Sequence, residues 1–171
     1  CYDSPMGPLT ALRPVFDRKD GTGPAGNSSP LTDGASAVLL RSEERAKSAG
    51  YTPLAYIRSY SYAALDPGEQ LLMGPVLAAP VALQRAGLTL PQIDLIEMHE
   101  AFAAQVLCNL KGFESREWAA RAGFSSPVGA VDRSRLNALC APMPLGHHSA
   151  PTAGPLPPAP PTALARRPAP A

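Results

Sequence analysis

The order of apolar and polar positions predicts alternating strands and helices in the middle of the chain. Residues 36–40 and 93–98 are short, mostly apolar runs typical of buried strands, and residues 54–62 alternate as a strand does. Helical patterns are expected over residues 42–49, 78–86, 101–111 and 114–122. This succession predicts a layered α/β fold.

Capping residues indicate where two of these predicted helices begin or end. Ser42 can cap the first helix, with Glu43 and Glu44 in its first turn, and Gly50 suits the position after its end. Gly87 is expected to close the second helix. Pro80 is compatible with that helix only near its start, because proline has no N–H to donate.

A His-Glu pair stands where the run at 93–98 gives way to a helical pattern. His99 and Glu100 therefore occupy the carboxyl end of a predicted strand, where ligands gather in α/β folds. The pair by itself is also compatible with an ordinary polar turn. Glu100 can equally favour a helix start by its charge alone.

Composition excludes several classes of protein. The 171 residues suffice for one domain, and a net charge of +1 gives no electrostatic case for nucleic acid or an anionic membrane surface. The apolar runs are too short to span a bilayer, and no secretory signal is visible. The three cysteines have no metal-ligand spacing and fit a reducing compartment, and Cys108 is expected to be a small core residue.

Both ends of the chain differ from its middle. Prolines and glycines predict an irregular lead-in over residues 1–24, and the first residue, Cys1, indicates a piece of something longer. Ten of the 21 prolines fall within residues 138–171, a Pro/Ala-rich tail that cannot build a core. We expect this tail to be disordered, or to result from a shifted reading frame in GC-rich coding DNA.

Three short motifs carry a family resemblance. Residues 26–35 read GNSSPLTDGA, residues 73–75 read MGP before a helix, and residues 99–103 read HEAFA. Their content, order and spacing resemble thiolases, in the His form of the degradative branch similar to the trifunctional-enzyme β-subunit. The resemblance runs from Leu12 to Asn137 and is of the C-terminal-half type, so that residues 25–137 are expected to form that domain.

The resemblance implies a fold and an activity. A thiolase half is a mixed sheet of about five strands covered by helices, here incomplete at the C-terminal end. Thiolases cleave 3-ketoacyl-CoA with CoA in fatty-acid β-oxidation, or run the reverse Claisen condensation. CoA and acyl-CoA would be substrates, with no permanent cofactor and no metal. A sterol-carrier thiolase is a less favoured member of the same superfamily.

The resemblance also implies roles for individual residues. His99 matches an oxyanion-hole position, and His147, after Gly146, matches the catalytic base without the proline of the family's Gly-His-Pro box. Ser29 matches a residue that bonds the pantetheine amide, and the remaining positions of the pantetheine channel are Ala25, Met73 and Phe102. Ser29 could also be a turn residue, and Met73 and Phe102 could be core residues.

Two expected parts are absent from this sequence. None of the three cysteines lies in the context of the family's nucleophile, and the C-terminal Cys-x-Gly-Gly-Gly box is missing. The chain alone is therefore expected to be inactive. The alternative is a non-catalytic CoA-binding or interaction module whose partner supplies the N-terminal half. By resemblance, the intact protein would be a homo-oligomer, able to bind a hydratase–dehydrogenase subunit, in the bacterial cytoplasm or, in a eukaryote, in mitochondria.

Overall fold

The computed structural model describes residues 6–33, 37–138 and the backbone of 147–148. Its helices are α1 (Met6–Ala11), α2 (Glu43–Ser48), α3 (Gly74–Ala86), α4 (Ala103–Phe113) and α5 (Arg116–Arg121). Single 3₁₀ turns lie at Ala25–Asn27, Leu71–Met73, Leu90–Gln92 and Arg133–Arg135. The two strands of the described residues, β1 (Leu31–Thr32) and β2 (His147–His148), pair in parallel.

Local capping signals predict α2 correctly. The Ser42 hydroxyl accepts a hydrogen bond from the Arg45 N–H at 3.3 Å, and Glu43 and Glu44 occupy the first turn. Gly50, with φ of 73°, follows the end of the helix in a left-handed conformation. These contacts are all local, which is why the sequence sufficed to predict them.

Helix α3 starts earlier than the sequence predicts. It begins at Gly74 rather than residue 78, with Pro75 in its first turn, and ends at Gly87 in the left-handed conformation, as expected. The expectation that Pro80 stands near the helix start is wrong, because Pro80 is the seventh residue of α3. Its side chain is buried, so packing holds the helix across the missing hydrogen bond to Val76.

The predicted irregular lead-in contains a helix. Helix α1 covers Met6–Ala11, within the segment where prolines argued against regular structure. Pro8 lies in the first turn, where the backbone N–H has no partner inside a helix in any case. The predicted tail from residue 138 lies outside the described residues, apart from Ala138 and the backbone of β2.

The predicted strands at 54–62 and 93–98 do not form ladders in the described part of the chain. Ile96 makes a single parallel bridge to Leu136, and residues 54–62 contain no strand. Residues 54–62 are instead tied to α3, because the Ser59 hydroxyl donates to the Ala82 carbonyl at 2.7 Å and Arg85 donates to the Tyr60 carbonyl at 2.7 Å. A strand needs a neighbouring strand, which a sequence pattern cannot supply.

The core lies where α4 faces the segment before the His-Glu pair. It consists of the buried side chains of Met98, Val106, Leu110 and Phe113, which pack against partly buried Ala79, Val128, Val131 and Leu136. Cys108 is exposed, so its expected core position is wrong. The buried positions follow a spacing of three to four residues, and Cys108 falls on the opposite face of α4.

None of the helices in the described ranges is long and apolar enough to cross a membrane.

Candidate functional site

Two of the three motifs meet through their backbones. The Ser29 N–H donates to the Ala101 carbonyl at 2.9 Å, and Ser28 forms an antiparallel bridge with Phe102. The 3₁₀ turn Ala25–Asn27 leads directly into this contact. The contact therefore brings together three residues that the sequence assigns to one channel: Ala25, Ser29 and Phe102. Ala101, which accepts the hydrogen bond, is two residues from His99 along the chain.

Phe102 forms one side of the contact between the two motifs. Its ring packs edge-to-face against the ring of Phe16, with centroids 5.4 Å apart and planes at 82°. This arrangement suits the positive edge of one ring and the negative face of the other. Phe102 is half-buried rather than fully enclosed, and it precedes α4 as its cap residue. It can contribute an apolar wall to a ligand while keeping its contact with Phe16.

The Ser29 hydroxyl is buried and makes no hydrogen bond within the described residues. A buried hydroxyl without a partner costs free energy, on the order of 1–3 kcal/mol from mutational data. Its neighbour Ser28 is different, because the Ser28 hydroxyl donates to the Pro24 carbonyl at 3.0 Å. Ser28 therefore serves the turn, whereas the Ser29 hydroxyl is available to a polar ligand.

Met73 lies away from this place. Its side chain is 5% exposed and packs at the C-terminal half of α4, where a Cβ added to Gly112 would be 2.8 Å from the Met73 methyl carbon. The helix between Ala103 and Gly112 is about 14 Å long at 1.5 Å per residue. Met73 thus makes the core contacts that the sequence left open as its alternative role.

Sequence reasoning missed Asn109, which connects the Met73 turn to α4. The side chain of Asn109 is fully buried, and its amide donates to the carbonyls of Leu72 at 3.0 Å and Gln105 at 2.9 Å. The available signal was an amide within the apolar stripe formed by Val106, Leu110 and Phe113. A buried amide in such a stripe needs polar partners.

A second missed residue, Asn137, holds the segment that presents His99. Its side-chain oxygen accepts from the Met98 N–H at 2.7 Å, and its amide nitrogen donates to the Met98 carbonyl at 3.1 Å. His99 and Glu100, which follow Met98 directly, are both half-buried. No signal in the sequence pairs residue 137 with residue 98, because the contact spans 39 positions of chain.

His147 is placed only through its backbone. Its strand β2 pairs with β1 in the register Leu31 to His147 and Thr32 to His148. Residue 147 therefore lies beside the strand that begins two residues after Ser29. This puts the backbone of the predicted base next to the segment that carries the predicted pantetheine contact.

Burial and charge act on the carboxylate of Glu97. Burial raises its pKa above the ordinary value of 4.5, and the negative charge of Glu100 raises it further. The backbone N–H of Ala138 acts in the opposite direction by bonding the carboxylate. Two carboxylates thus flank His99, and neither was assigned a catalytic role from the sequence.

The donor set does not indicate a metal. Within the described ranges, no group of three or more His, Cys, Asp or Glu side chains could hold a metal ion.

A small apolar cavity of about 10 Å³, roughly room for one water, lies among α3, α4 and α5. None of Ala25, Ser29, Met73, His99 and Phe102 lines it.

Two family models match the chain. Residues 51–151 match the model described as thiolase, C-terminal domain, and residues 3–44 match thiolase, N-terminal domain. The division between the two matches falls between residues 44 and 51, and the predicted boundaries at residues 24 and 137 stay a prediction. Ser29 and Ala101, which are hydrogen-bonded, thus belong to different matched domains.

Curated relatives point the same way. The chain is 52% identical over 152 residues to the 3-ketoacyl-CoA thiolase of Pseudoalteromonas atlantica, covering 88% of this chain and 35% of the relative. It is 53% identical over 150 residues to the 3-ketoacyl-CoA thiolase of Shewanella amazonensis, covering 87% of this chain and 34% of the relative. The chain therefore spans about a third of the length of these relatives.

Solved structures agree on the fold. Human mitochondrial 3-ketoacyl-CoA thiolase matches with a TM-score of 0.79 and 35% identity, over 96% of this chain and 37% of that one, and it has also been solved in complex with CoA. The Bacillus anthracis acetyl-CoA acetyltransferase matches with a TM-score of 0.75 and 37% identity, over 94% of this chain and 36% of that one. The fold is thus thiolase-like and α/β.

Proposed function

The chain belongs to the thiolase family, and we propose that it is a segment of a 3-ketoacyl-CoA thiolase that acts in fatty-acid β-oxidation. The observation that carries this proposal is the hydrogen bond from the Ser29 N–H to the Ala101 carbonyl, at 2.9 Å. It joins the motif at 26–35 to the motif at 99–103, so that residues implied in CoA binding and in catalysis share one place.

The proposal gives each residue at the contact between the two motifs a chemical role. In acyl transfer, negative charge develops on the thioester oxygen, and a ring N–H of His99 would stabilise it as part of an oxyanion hole. The Ser29 hydroxyl would bond the pantetheine amide of CoA, while Ala25 and Phe102 would line the channel. Met73 packs in the core at the other end of α4, so it is left out of this channel. His147 would be the base that activates the nucleophile, provided that its ring reaches hydrogen-bond distance.

The nucleophile must come from outside these 171 residues. Covalent capture of the acyl group needs an activated thiolate. Cys108, the cysteine that the structure describes, is exposed on the face of α4 away from the core and lies in no family motif. A preparation of this chain alone should therefore fail to cleave 3-ketoacyl-CoA. CoA and acyl-CoA would be substrates, with no permanent cofactor.

The proposal extends to fold and setting. The mixed sheet of about five strands would form when the remaining parts of a full-length thiolase supply the neighbouring strands. The intact protein would be a homo-oligomer, with a hydratase–dehydrogenase subunit as a further partner. Its curated relatives are bacterial, which supports a cytoplasmic location.

A second candidate function is a non-catalytic CoA-binding or interaction module. Exposed apolar side chains favour a need for a partner: Leu54 is 82% exposed, Tyr62 is 90% exposed and Leu31 is 80% exposed. Apolar side chains that are exposed to this extent favour a partner that covers them in the working protein. Both candidates require a covering partner, and they differ in whether the assembled protein performs chemistry.

A chimera separates the two candidates. The matching 152-residue segment of the Pseudoalteromonas atlantica thiolase is replaced by this chain's sequence, and cleavage of acetoacetyl-CoA by CoA is measured. The catalytic proposal predicts thiolysis within about tenfold of the parent enzyme. A folded chimera that binds CoA by calorimetry but performs no thiolysis would leave only the binding module.

A further inference from the structure

A single parallel bridge, between Ile96 and Leu136, leads to the His-Glu pair. The Ile96 N–H donates to the Arg135 carbonyl at 2.9 Å, and the Asn137 N–H donates to the Ile96 carbonyl at 2.8 Å. Residues 135–137 thus run beside residues 96–98 as a strand would. The next rung would need a backbone partner for Met98.

The backbone cannot supply that partner, because it turns away at Asn137. The φ of Asn137 is 50°, in the left-handed region that Asn tolerates better than most residues. Its side-chain amide takes over the rung. The oxygen accepts from the Met98 N–H at 2.7 Å, and the nitrogen donates to the Met98 carbonyl at 3.1 Å. One side chain therefore imitates a peptide group.

The second N–H of the same amide reaches past His99. It donates to a carboxylate oxygen of Glu100 at 2.7 Å. Hydrogen bonds to an ionised acceptor are stronger than neutral ones. The Asn137 amide thus holds the residue before His99 and the residue after it, using its acceptor and both of its donors.

We propose that Asn137 is a positioning residue, whose side-chain amide holds the Met98 backbone before His99 and the Glu100 carboxylate after it, and so aims the imidazole at the reacting oxygen. For its catalytic consequence, this inference rests on the proposed function. The Asn137 side chain is inferred to act through Met98 and Glu100, which it bonds directly. The oxyanion-hole geometry is sensitive to displacement, since a misplacement of about 1 Å can cost on the order of a hundredfold in rate.

Few residue types could replace Asn137 in its hydrogen bonds to Met98 and Glu100. Aspartate has nearly the same shape, but it offers no donor to Met98 and adds a negative charge near Glu97 and Glu100. Glycine accepts the left-handed backbone but offers no amide. Arg135 provides a matched control, because it supports the same segment with hydrogen bonds of 2.9 Å to the carbonyls of Pro91 and Ile93, away from His99.

The first experiment uses the 171-residue chain. Amide exchange of Met98 and the ring resonances of His99 are followed by NMR in Asn137→Gly and Arg135→Ala. Asn137→Gly should speed exchange at Met98 by roughly three- to tenfold, the worth of one hydrogen bond, and should shift the His99 ring signals. Arg135→Ala should leave the His99 ring signals unchanged. Unchanged His99 signals in a folded Asn137→Gly chain would overturn the proposal.

The second experiment uses the chimera described above. Asn137→Gly and Asn137→Asp should lower kcat between about tenfold and a hundredfold with KM for CoA nearly unchanged, whereas Arg135→Ala should keep kcat. An equal loss of kcat in Arg135→Ala would mean a merely structural role and would contradict the inference. If the unmodified chimera is inactive, the proposed function fails, and the NMR experiment still decides whether Asn137 positions His99.

Discussion

The backbone N–H of Ser29 bonds the carbonyl oxygen of Ala101 at 2.9 Å, although 72 positions of chain separate the two residues. This contact fixes where the first motif meets the third. It also crosses the division between the two matched thiolase domains.

Replacing Ser29 with Ala should weaken CoA binding without destabilising the chain. The Ser29 hydroxyl makes no hydrogen bond within the described residues, so its removal breaks none there. We expect a loss of about three- to tenfold in affinity for CoA, the worth of one hydrogen bond, measured by calorimetry. Ser28→Ala is the matched control, since it removes the bond to the Pro24 carbonyl and should cost stability rather than affinity. The reverse pattern would contradict the assignment.

Replacing Gly112 with Ala should destabilise the packing of α3 and α4. An added Cβ would lie 2.8 Å from the Met73 methyl carbon and 2.8 Å from a Val76 methyl carbon, both in buried side chains. We expect a loss of about 1–3 kcal/mol in the free energy of unfolding, measured with urea. Gly74→Ala has nothing within 4 Å of its new methyl group and should be neutral or stabilising. Equal effects of the two substitutions would disprove the tight contact at Gly112.

Replacing Glu97 with Gln should stabilise the chain at neutral pH and lose that advantage in acid. The pKa of Glu97 is raised in the folded chain, first by burial and then by Glu100, so its ionised form opposes folding. The cost is fully present above the folded pKa and disappears as pH falls toward the ordinary value of 4.5. Urea unfolding of both proteins at several pH values measures the difference. A difference that stays constant with pH would rule out this origin.

The rings of Phe16 and Phe102 should be energetically coupled. Their edge-to-face contact at 5.4 Å predicts a coupling of about 0.5 kcal/mol, at the low end for aromatic pairs because Phe16 is largely exposed. A double-mutant cycle with Phe16→Leu and Phe102→Leu isolates this quantity. Additive effects of the two substitutions would show that the contact contributes nothing to stability.

Local features of the fold could be predicted from the sequence, and features that depend on distant partners could not. Helix α2 follows from the Ser42 cap and from Gly50, both within a few residues of the helix. Residues 54–62 have the alternation of a strand, but their neighbours in the structure are carbonyls and side chains of α3. The alternating pattern indicates a tendency to form a strand, but strand pairing depends on which other segments are present.

The same contrast between local features and distant partners holds for the residues of the candidate site. The motifs predict His99, Ser29 and Phe102 as site residues, because each lies in a short stretch that resembles the family; these roles stay predictions. Asn137 and Asn109 escaped notice, because each acts on backbone 37 or 39 positions away. A polar residue whose partners are distant carbonyls leaves no periodic or local signal in the sequence.

The most direct test of the central claim is the rate of thiolysis by the chimera with and without the His99 ring. His99→Ala should lower kcat by roughly a hundred- to a thousandfold, as loss of one oxyanion-hole donor does, with little change in KM. His99→Asn, which keeps an N–H donor and matches the Asn form of the family motif, should retain most of the activity. An Ala variant as active as the unmodified chimera would contradict the oxyanion-hole role of His99.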